Sequence, residues 1–345
     1  MRPVLRPADH PLFPGAKVTE TSKESIFSFL TETCAMPGDT SIITHASDTL
    51  PAPDSLSQLR IAAFPGQSQP DNGVLFFVVV AAFTGIIAGT FLINWLLQKH
   101  LQKQAYKTAQ QNFALYDEWL TTYNGYYKSL PAELRQRFLD RVSWFMSTKT
   151  FTCIGLPLEE KMPLLISAAS IQISFGLDKY QLDFFDSIYI MQHNYNYGMY
   201  SQPFEGHVNS NGIYLSWDNF LRGYEDYTDG DNVGIHEMAH ALAYVNFMAG
   251  SNDAQDDAFI RRFYDFSAVA RPIFNEMQNG HTNALGAYAA TNYNEFWAVA
   301  VEVFFEKPLI MKLDMPALYD SMCGLLNQDP LSPEKLLTIP VSVEA

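Results

Sequence analysis

Cysteine is scarce in this chain. Cys34, Cys153 and Cys323 are the only three in 345 residues, and an odd, widely spaced set without a Cys-x-x-Cys pair excludes a disulfide scaffold and a cysteine-built metal or redox centre. A reducing compartment suits the region around Cys153 and Cys323. Cations are also few: 22 Lys and Arg stand against 37 Asp and Glu, a formal charge of −15. No basic cluster interrupts the acidic balance of the C-terminal two thirds, so nucleic acid is not expected as a partner. The chain has no Gly-x-Ser-x-Gly elbow, Gly-rich phosphate loop or internal repeat, so no serine-hydrolase or phosphate-loop chemistry competes for a catalytic role. Apolar residues are plentiful. At 48% hydrophobic the chain can bury a sizeable core in one large domain or two modest ones, and disorder of the whole is excluded.

Charge is missing altogether from residues 74–97, VLFFVVVAAFTGIIAGTFLINWLL. A helix rises about 1.5 Å per residue, so this stretch is long enough for a hydrocarbon layer of roughly 30 Å and is expected to be a transmembrane helix. It begins far from the N-terminus, so it is not expected to be a cleaved signal peptide. Lys99, Lys103 and Lys107 follow it closely, whereas Arg60, beside Asp71, stands alone upstream. That bias places the C-terminal part on the cytoplasmic side of a single-pass inner membrane protein. Residues 1–73 hold nine of the nineteen prolines, many Ser and Thr, and no sustained period, and are expected to be a mostly unstructured tail.

After the span, residues 98–128 read as a polar juxtamembrane helix and linker that stops near Asn124-Gly125. A second helix is expected from Ser129, with Ser129 as cap and Pro131 in the first turn, and with Leu134, Phe138, Val142 and Phe145 on one apolar face. Residues 159–178 read as another helix. Ser187–Gln192 and Gly212–Trp217 are rich in β-branched and aromatic residues over strand length and are expected to neighbour each other in a small sheet. The Gly212–Trp217 strand is a candidate edge for binding an extended peptide. The main domain is placed at 129–335, with a C-terminal tail at 336–345.

The chemistry is concentrated in Gly234-Ile-His-Glu-Met-Ala-His-Ala-Leu-Ala243. Asp231 or Asn232 can cap a helix here, and no proline interrupts the run that follows. Four residues make a little over one turn, so His236 and His240 project from one face and can grip a single metal ion. Glu237 is suited to act as a base toward water rather than as a ligand. Left unpaired in a core, such polar groups cost about 1–3 kcal/mol each, and a cation removes that cost. A catalytic zinc keeps three protein ligands and an open position, so a third ligand is required. Asn292 can cap a later helix that carries Glu295 in its first turn and Glu302 two turns further on. A carboxylate directed into apolar packing calls for a cation, but the spacing does not choose between the two.

His236-Glu-Met-Ala-His240, then Tyr288-Ala-Ala-Thr-Asn-x-x-Glu295-Phe-x-Ala-Val-x-x-Glu302-x-Phe-Phe, Pro308, Pro316-x-Leu-Tyr319 and Gln328-Asp-Pro330 together closely resemble the Mlc titration factor A family of zinc peptidases. The resemblance covers roughly residues 110–335. It implies an α+β, mainly helical, zincin-like metallopeptidase domain of gluzincin type with a small β-sheet, similar in its core to the protease domain of anthrax lethal factor. It further implies Zn2+ as cofactor with His236, His240 and Glu295 as metal ligands, Glu237 as general base, and Tyr288 as the group that steadies the oxyanion. The family usually continues His-Lys-Leu-Asp, whereas this chain has His240-Ala-Leu-Ala243, so an acidic residue near the site is missing.

Two functions are expected from this set. One is a membrane-anchored zinc peptidase acting on a peptide or protein substrate, aminopeptidases included. The other is a zinc-containing binding protein that sequesters a transcriptional regulator, as the resemblance suggests. Glu302 is left between orienting a ligand histidine and serving as an ordinary helix carboxylate. Glu225, Asp226, Asp229 and Asp231 lack EF-hand order and read as a solvated loop, and His193 and His207 lie outside any ligand spacing.

Overall fold

The computed structural model describes residues 72–198, 203–250 and 254–338. The tail expected at 1–73 falls outside these residues except for its last two positions, and most of the 336–345 tail falls outside them too. The described chain divides into a part ending at Leu101 and a part beginning at Gln102.

The first part belongs to helix α1 (Asn72–Gln111). Its window from Phe76 has a mean hydropathy of 2.5 and none of it is buried, so it is a helix long and apolar enough to cross a membrane. The apolar span passes into the polar stretch expected from residue 98 as one helix. Residues 98–111 lack Gly and Pro and consist largely of good helix formers, so the helix runs on until Asn112.

The second part is mainly helical with one small sheet. Helices α2 (Phe113–Tyr123), α3 (Gly125–Ser129) and α4 (Ala132–Thr148) lead into strand β1 (Thr150–Ile154) and helix α5 (Lys161–Ser174). Leu134, Phe138, Val142 and Phe145 are buried on α4, as their spacing predicts. Ser129 does not cap that helix. It ends α3, where its hydroxyl donates to the Tyr126 carbonyl at 2.7 Å, and Pro131 takes the cap position instead. Helix α5 is buried on every side from Leu164 to Ser174, and its uncharged sequence of apolar and small residues with Gln172 suits that position.

Strands β2 (Ser187–Met191), β3 (Gly206–Asn209) and β4 (Gly212–Ser216) complete a sheet of order β1-β2-β4-β3. The expected neighbours β2 and β4 pair in parallel, with Ile188 opposite Ile213. Trp217 leaves the strand to open helix α6 (Trp217–Glu225). The edge lies elsewhere than predicted: β4 is paired on both sides, and β3 runs antiparallel beside it as the outer strand. The tight turn explains this. The Asn211 N–H bonds the Asn209 side chain at 2.8 Å, and Gly212 takes φ +154° where a Cβ would meet the Ser187 carbonyl oxygen at 2.6 Å, so the chain folds back on itself.

Helix α7 (Val233–Phe247) packs against β3, β4, α5, α6 and α9 (Tyr293–Glu306). Helix α8 (Asp257–Gln278) precedes α9, and α10 (Pro308–Asp314) and α11 (Pro316–Leu326) follow it, each with proline in its first turn. Trp297 on α9 is buried, donates its indole N–H to the Ala239 carbonyl at 2.9 Å, and stands edge-on to Phe259, Phe263 and Phe266 of α8. A bond of this kind contributes about 0.5–1.5 kcal/mol net. Its larger effect is positional, because it fixes the register of α9 against α7.

Candidate metal centre

Asn232 caps α7 by accepting the Ile235 N–H at 3.1 Å, and Asn292 caps α9 by accepting those of Asn294 and Glu295 at 2.9 and 3.0 Å. These caps and the Trp297 anchor bring two distant segments together. His236 Nε2 lies 3.1 Å from His240 Nε2 and 3.0 Å from Glu295 Oε2, and His240 Nε2 lies 3.6 Å from Glu295 Oε1. His236, His240 and Glu295 thus form a group that could hold a metal ion. Glu302 is not in it. It reaches Nδ1 of His236 with Oε1, while its Oε2 accepts the Asn232 backbone N–H at 2.9 Å.

That arrangement has an electrostatic reason. A carboxylate at Nδ1 holds one His236 proton on that nitrogen, so Nε2 is the atom left to face a second imidazole and a second carboxylate, and to ligate once a cation displaces any proton there. Three lone-pair donors converging at about 3 Å call for a cation. Burial by itself would lower the His236 pKa and raise that of Glu295. The opposite holds: Glu302 and Glu295 push His236 well above the ordinary histidine value, and the two imidazoles hold Glu295 well below the carboxylate range.

The group opens into a cleft of about 250 Å³. Glu237 and Tyr288 line the same cleft, so the five residues singled out from the sequence share one site. Glu237 is 6% exposed. Tyr288 is 37% exposed, with its ring centred 6.1 Å from that of His236. Ala243 lines the cleft with no carboxylate to offer.

The opposite wall was missed from the sequence. Gly206 and His207 of β3 face the cleft. A Cβ at Gly206 would come within 2.5 Å of Glu237 Cγ and 2.7 Å of its Oε1, so any other residue here would force the Glu237 side chain to shift. His207 bonds the Tyr195 hydroxyl through Nδ1 at 2.8 Å and stacks on Tyr214 at 4.3 Å. Burial lowers its pKa to about 4, so it is neutral at pH 7. Burial, then the Glu237 charge, pushes the Tyr195 hydroxyl well above its ordinary pKa. No local pattern announces these residues, because strand pairing brings them to the site.

Two histidines from one helical turn and a glutamate from a second helix, beside a cleft under a strand edge, define the site as one of metallopeptidase type. Residues 97–325 match the model of the family described as glucose-regulated metallo-peptidase M90, and the chain belongs to that family. Among its relatives, the uncharacterized protein slr2042 of Synechocystis sp. is 24% identical over 228 residues, covering 60% of this chain and 81% of that one. Mlc titration factor A of Yersinia pestis and of Yersinia pseudotuberculosis is 29% identical over 129 residues, 35% of this chain. The matched segment spans under half, 45%, of each titration factor.

Proposed function

We propose that this chain is a zinc-dependent peptide hydrolase anchored to the inner membrane by residues 74–97, with its catalytic domain in the cytoplasm. The catalytic domain then begins near Gln102 rather than at 129, because Tyr116, Leu120 and Tyr127 of the segment expected as a linker are buried in its core. The observation that carries the reading is the convergence of His236, His240 and Glu295. Zinc with ligand bonds near 2.0–2.1 Å and tetrahedral geometry needs donor separations of about 3.3 Å; His236 Nε2 stands 3.1 Å from His240 Nε2 and 3.0 Å from Glu295 Oε2, close to that value, and the other Glu295 oxygen lies 3.6 Å from His240 Nε2.

When bound, zinc supplies Lewis acidity to water and to a peptide carbonyl. Glu237 accepts the proton of the attacking water and returns it to the leaving amine. The Tyr288 hydroxyl donates to the carbonyl oxygen as negative charge develops there. Glu302 keeps His236 in the tautomer that leaves Nε2 free to ligate. The outer strand β3 offers its main chain to an extended substrate, which gives affinity with little sequence preference.

A second reading is favoured by the name of the Yersinia relatives, Mlc titration factor A: a metal-containing protein that binds a transcriptional regulator. One pair of measurements separates the two. The purified protein is expected to carry one zinc per chain and to cleave short peptides in a chelator-sensitive manner. Glu237→Gln is expected to keep the zinc and lose the hydrolysis. Hydrolysis undiminished in that variant, or absent from the zinc-loaded wild type across a broad peptide panel, would overturn the peptidase reading.

A further inference from the structure

The sheet has two edges. In the order β1-β2-β4-β3 strand β3 lines the metallopeptidase cleft, and β1 (Thr150–Ile154) lies at the opposite side of the sheet without contributing to that cleft. The Thr150 N–H donates to the Asp186 carbonyl at 2.8 Å, and the parallel register runs unbroken from Thr150 opposite Ser187 to Ile154 opposite Met191. Alternate residues of a parallel strand bond to the same neighbour, so Thr150, Thr152 and Ile154 turn their main-chain groups to β2. The N–H and C=O groups of Phe151 and Cys153 point outward, where no strand among the described residues meets them.

Proteins guard an exposed edge with charge, proline, a bulge or a covering segment. Here Thr-Phe-Thr-Cys-Ile carries neither charge nor proline, and its unbroken register leaves no bulge. Lys149, the preceding residue, is engaged elsewhere: its ammonium group donates to the Leu182 carbonyl at 3.2 Å and stands 5.0 Å from the Phe145 ring centre. Thr150, Thr152 and Ile154 are exposed, and so is the chain from Pro157 to Glu160 that follows. Ile154 and Leu158 are 52% and 54% exposed, so apolar surface extends past the end of the strand. Outward main-chain groups in this state suit one kind of partner, an extended strand.

The sequence of β1 is complementary to itself. Two copies related by a two-fold axis through Thr152 run antiparallel, with Phe151 opposite Cys153 of the second copy, and each such pair exchanges both its N–H and its C=O groups. Thr152 then faces its own counterpart and Thr150 faces Ile154 of the second copy. No charge enters any of these pairs, whereas like charges placed directly opposite would oppose them. The contact is small: five residues a side fall short of the roughly 20–30 that a stable soluble interface uses. Pairing through β1 therefore requires that the copies be held near one another.

We propose that β1 is a self-association edge, through which two copies of this chain join their sheets antiparallel about Thr152 when both are confined to one membrane. The proposal rests on the reading of residues 74–97 as an anchor, which raises the effective concentration of one copy around another. It requires neither zinc nor peptide hydrolysis, because β3 and the metallopeptidase cleft lie at the other edge.

Disulfide trapping of the full chain tests it, in vesicles of phosphatidylethanolamine and phosphatidylglycerol and in a Cys34→Ser, Cys153→Ser, Cys323→Ser background. The two Thr152 positions fall within disulfide reach, whereas the two Thr150 positions stand roughly 14 Å apart. Thr152→Cys is expected to give about tenfold more cross-linked dimer than Thr150→Cys or Ile154→Cys alone, and the Thr150→Cys, Ile154→Cys double variant to recover the cross-link. Energy transfer between copies carrying donor and acceptor dyes at the C-terminus reads the pairing without a disulfide. Thr152→Lys, at an exposed position, is expected to lower that transfer about threefold or more, and mixing Thr152→Lys with Thr152→Glu copies to restore it. Cross-linking no greater at 152 than at 150, or transfer unchanged by Thr152→Lys, in chains that stay with the vesicles through an alkaline wash would overturn the edge pairing alone. Loss of the chain from the washed vesicles would overturn the anchor, and the confinement with it.

Discussion

Glu302 backs His236 while also holding the start of the helix that carries it: one carboxylate oxygen meets the imidazole Nδ1 and the other accepts the Asn232 backbone N–H at 2.9 Å. A partner of this kind fixes both tautomer and ring orientation. Glu302→Gln is therefore expected to lower zinc affinity about 10–100-fold, read by competition with a chromophoric chelator. Affinity equal to wild type would show that His236 is oriented by other means.

Tyr288 separates binding from turnover. Tyr288 borders the cleft, with its ring centred 6.1 Å from that of His236. Tyr288→Phe is expected to lower kcat by about 10²–10³ with zinc content unchanged. Loss of zinc in parallel with activity would contradict the role given to this residue.

Gly206 tests the contact between strand and base. A methyl group there would stand 2.5–2.7 Å from the Glu237 side chain, which must move aside. Gly206→Ala is expected to depress hydrolysis strongly while zinc content holds, since no ligand atom is touched. Activity close to wild type would show that Glu237 has room to shift without cost.

Glu306 makes stability depend on pH in an unusual direction. Its folded pKa of about 9 lies above the unfolded value near 4.3, so between these values the folded state binds more protons. Stability from this group is full below about pH 4 and is lost as pH rises toward 9. Glu306→Gln keeps the neutral shape and should flatten that loss, which denaturant unfolding at pH 5, 7 and 9 measures. A wild-type and variant difference that does not change with pH would refute it.

The apolar helix is separable by burial. No residue of its most apolar window is buried, so a fragment starting near Gln102 is expected to keep the secondary structure of the remaining domain and to stay in the aqueous phase without detergent. The full chain is expected to partition with detergent micelles. Unfolding of the fragment would show that the part of α1 before Gln102 contributes to the core.

Much of the site was legible because its parts are local. His236 and His240 share a helical turn, and the asparagine caps at 232 and 292 sit where short polar side chains meet free helix N–H groups. The apolar run of α1 and the buried face of α4 are equally local patterns. The sheet was read in part: β2 and β4 were foreseen as neighbours, but β1 and β3 were not, and the edge was assigned to the wrong strand. Short strands carry little periodicity, and their order is set by tertiary pairing that no local pattern records. Ser129 failed as a cap because the preceding turn captured its hydroxyl.

Composition and local spacing by themselves determined the class of chemistry: an acidic, cysteine-poor chain with one uncharged stretch and a helix bearing two histidines and a glutamate. Family resemblance selected Glu295 over Glu302, a choice that spacing left open. Only the tertiary structure decided what each carboxylate does. The buried Trp297 bond sets α9 against α7 so that Glu295 meets the imidazole Nε2 atoms and Glu302 meets the Nδ1 behind them. Two residues on one helical face look alike in sequence, and it is the depth at which each meets its neighbour that separates ligand from support.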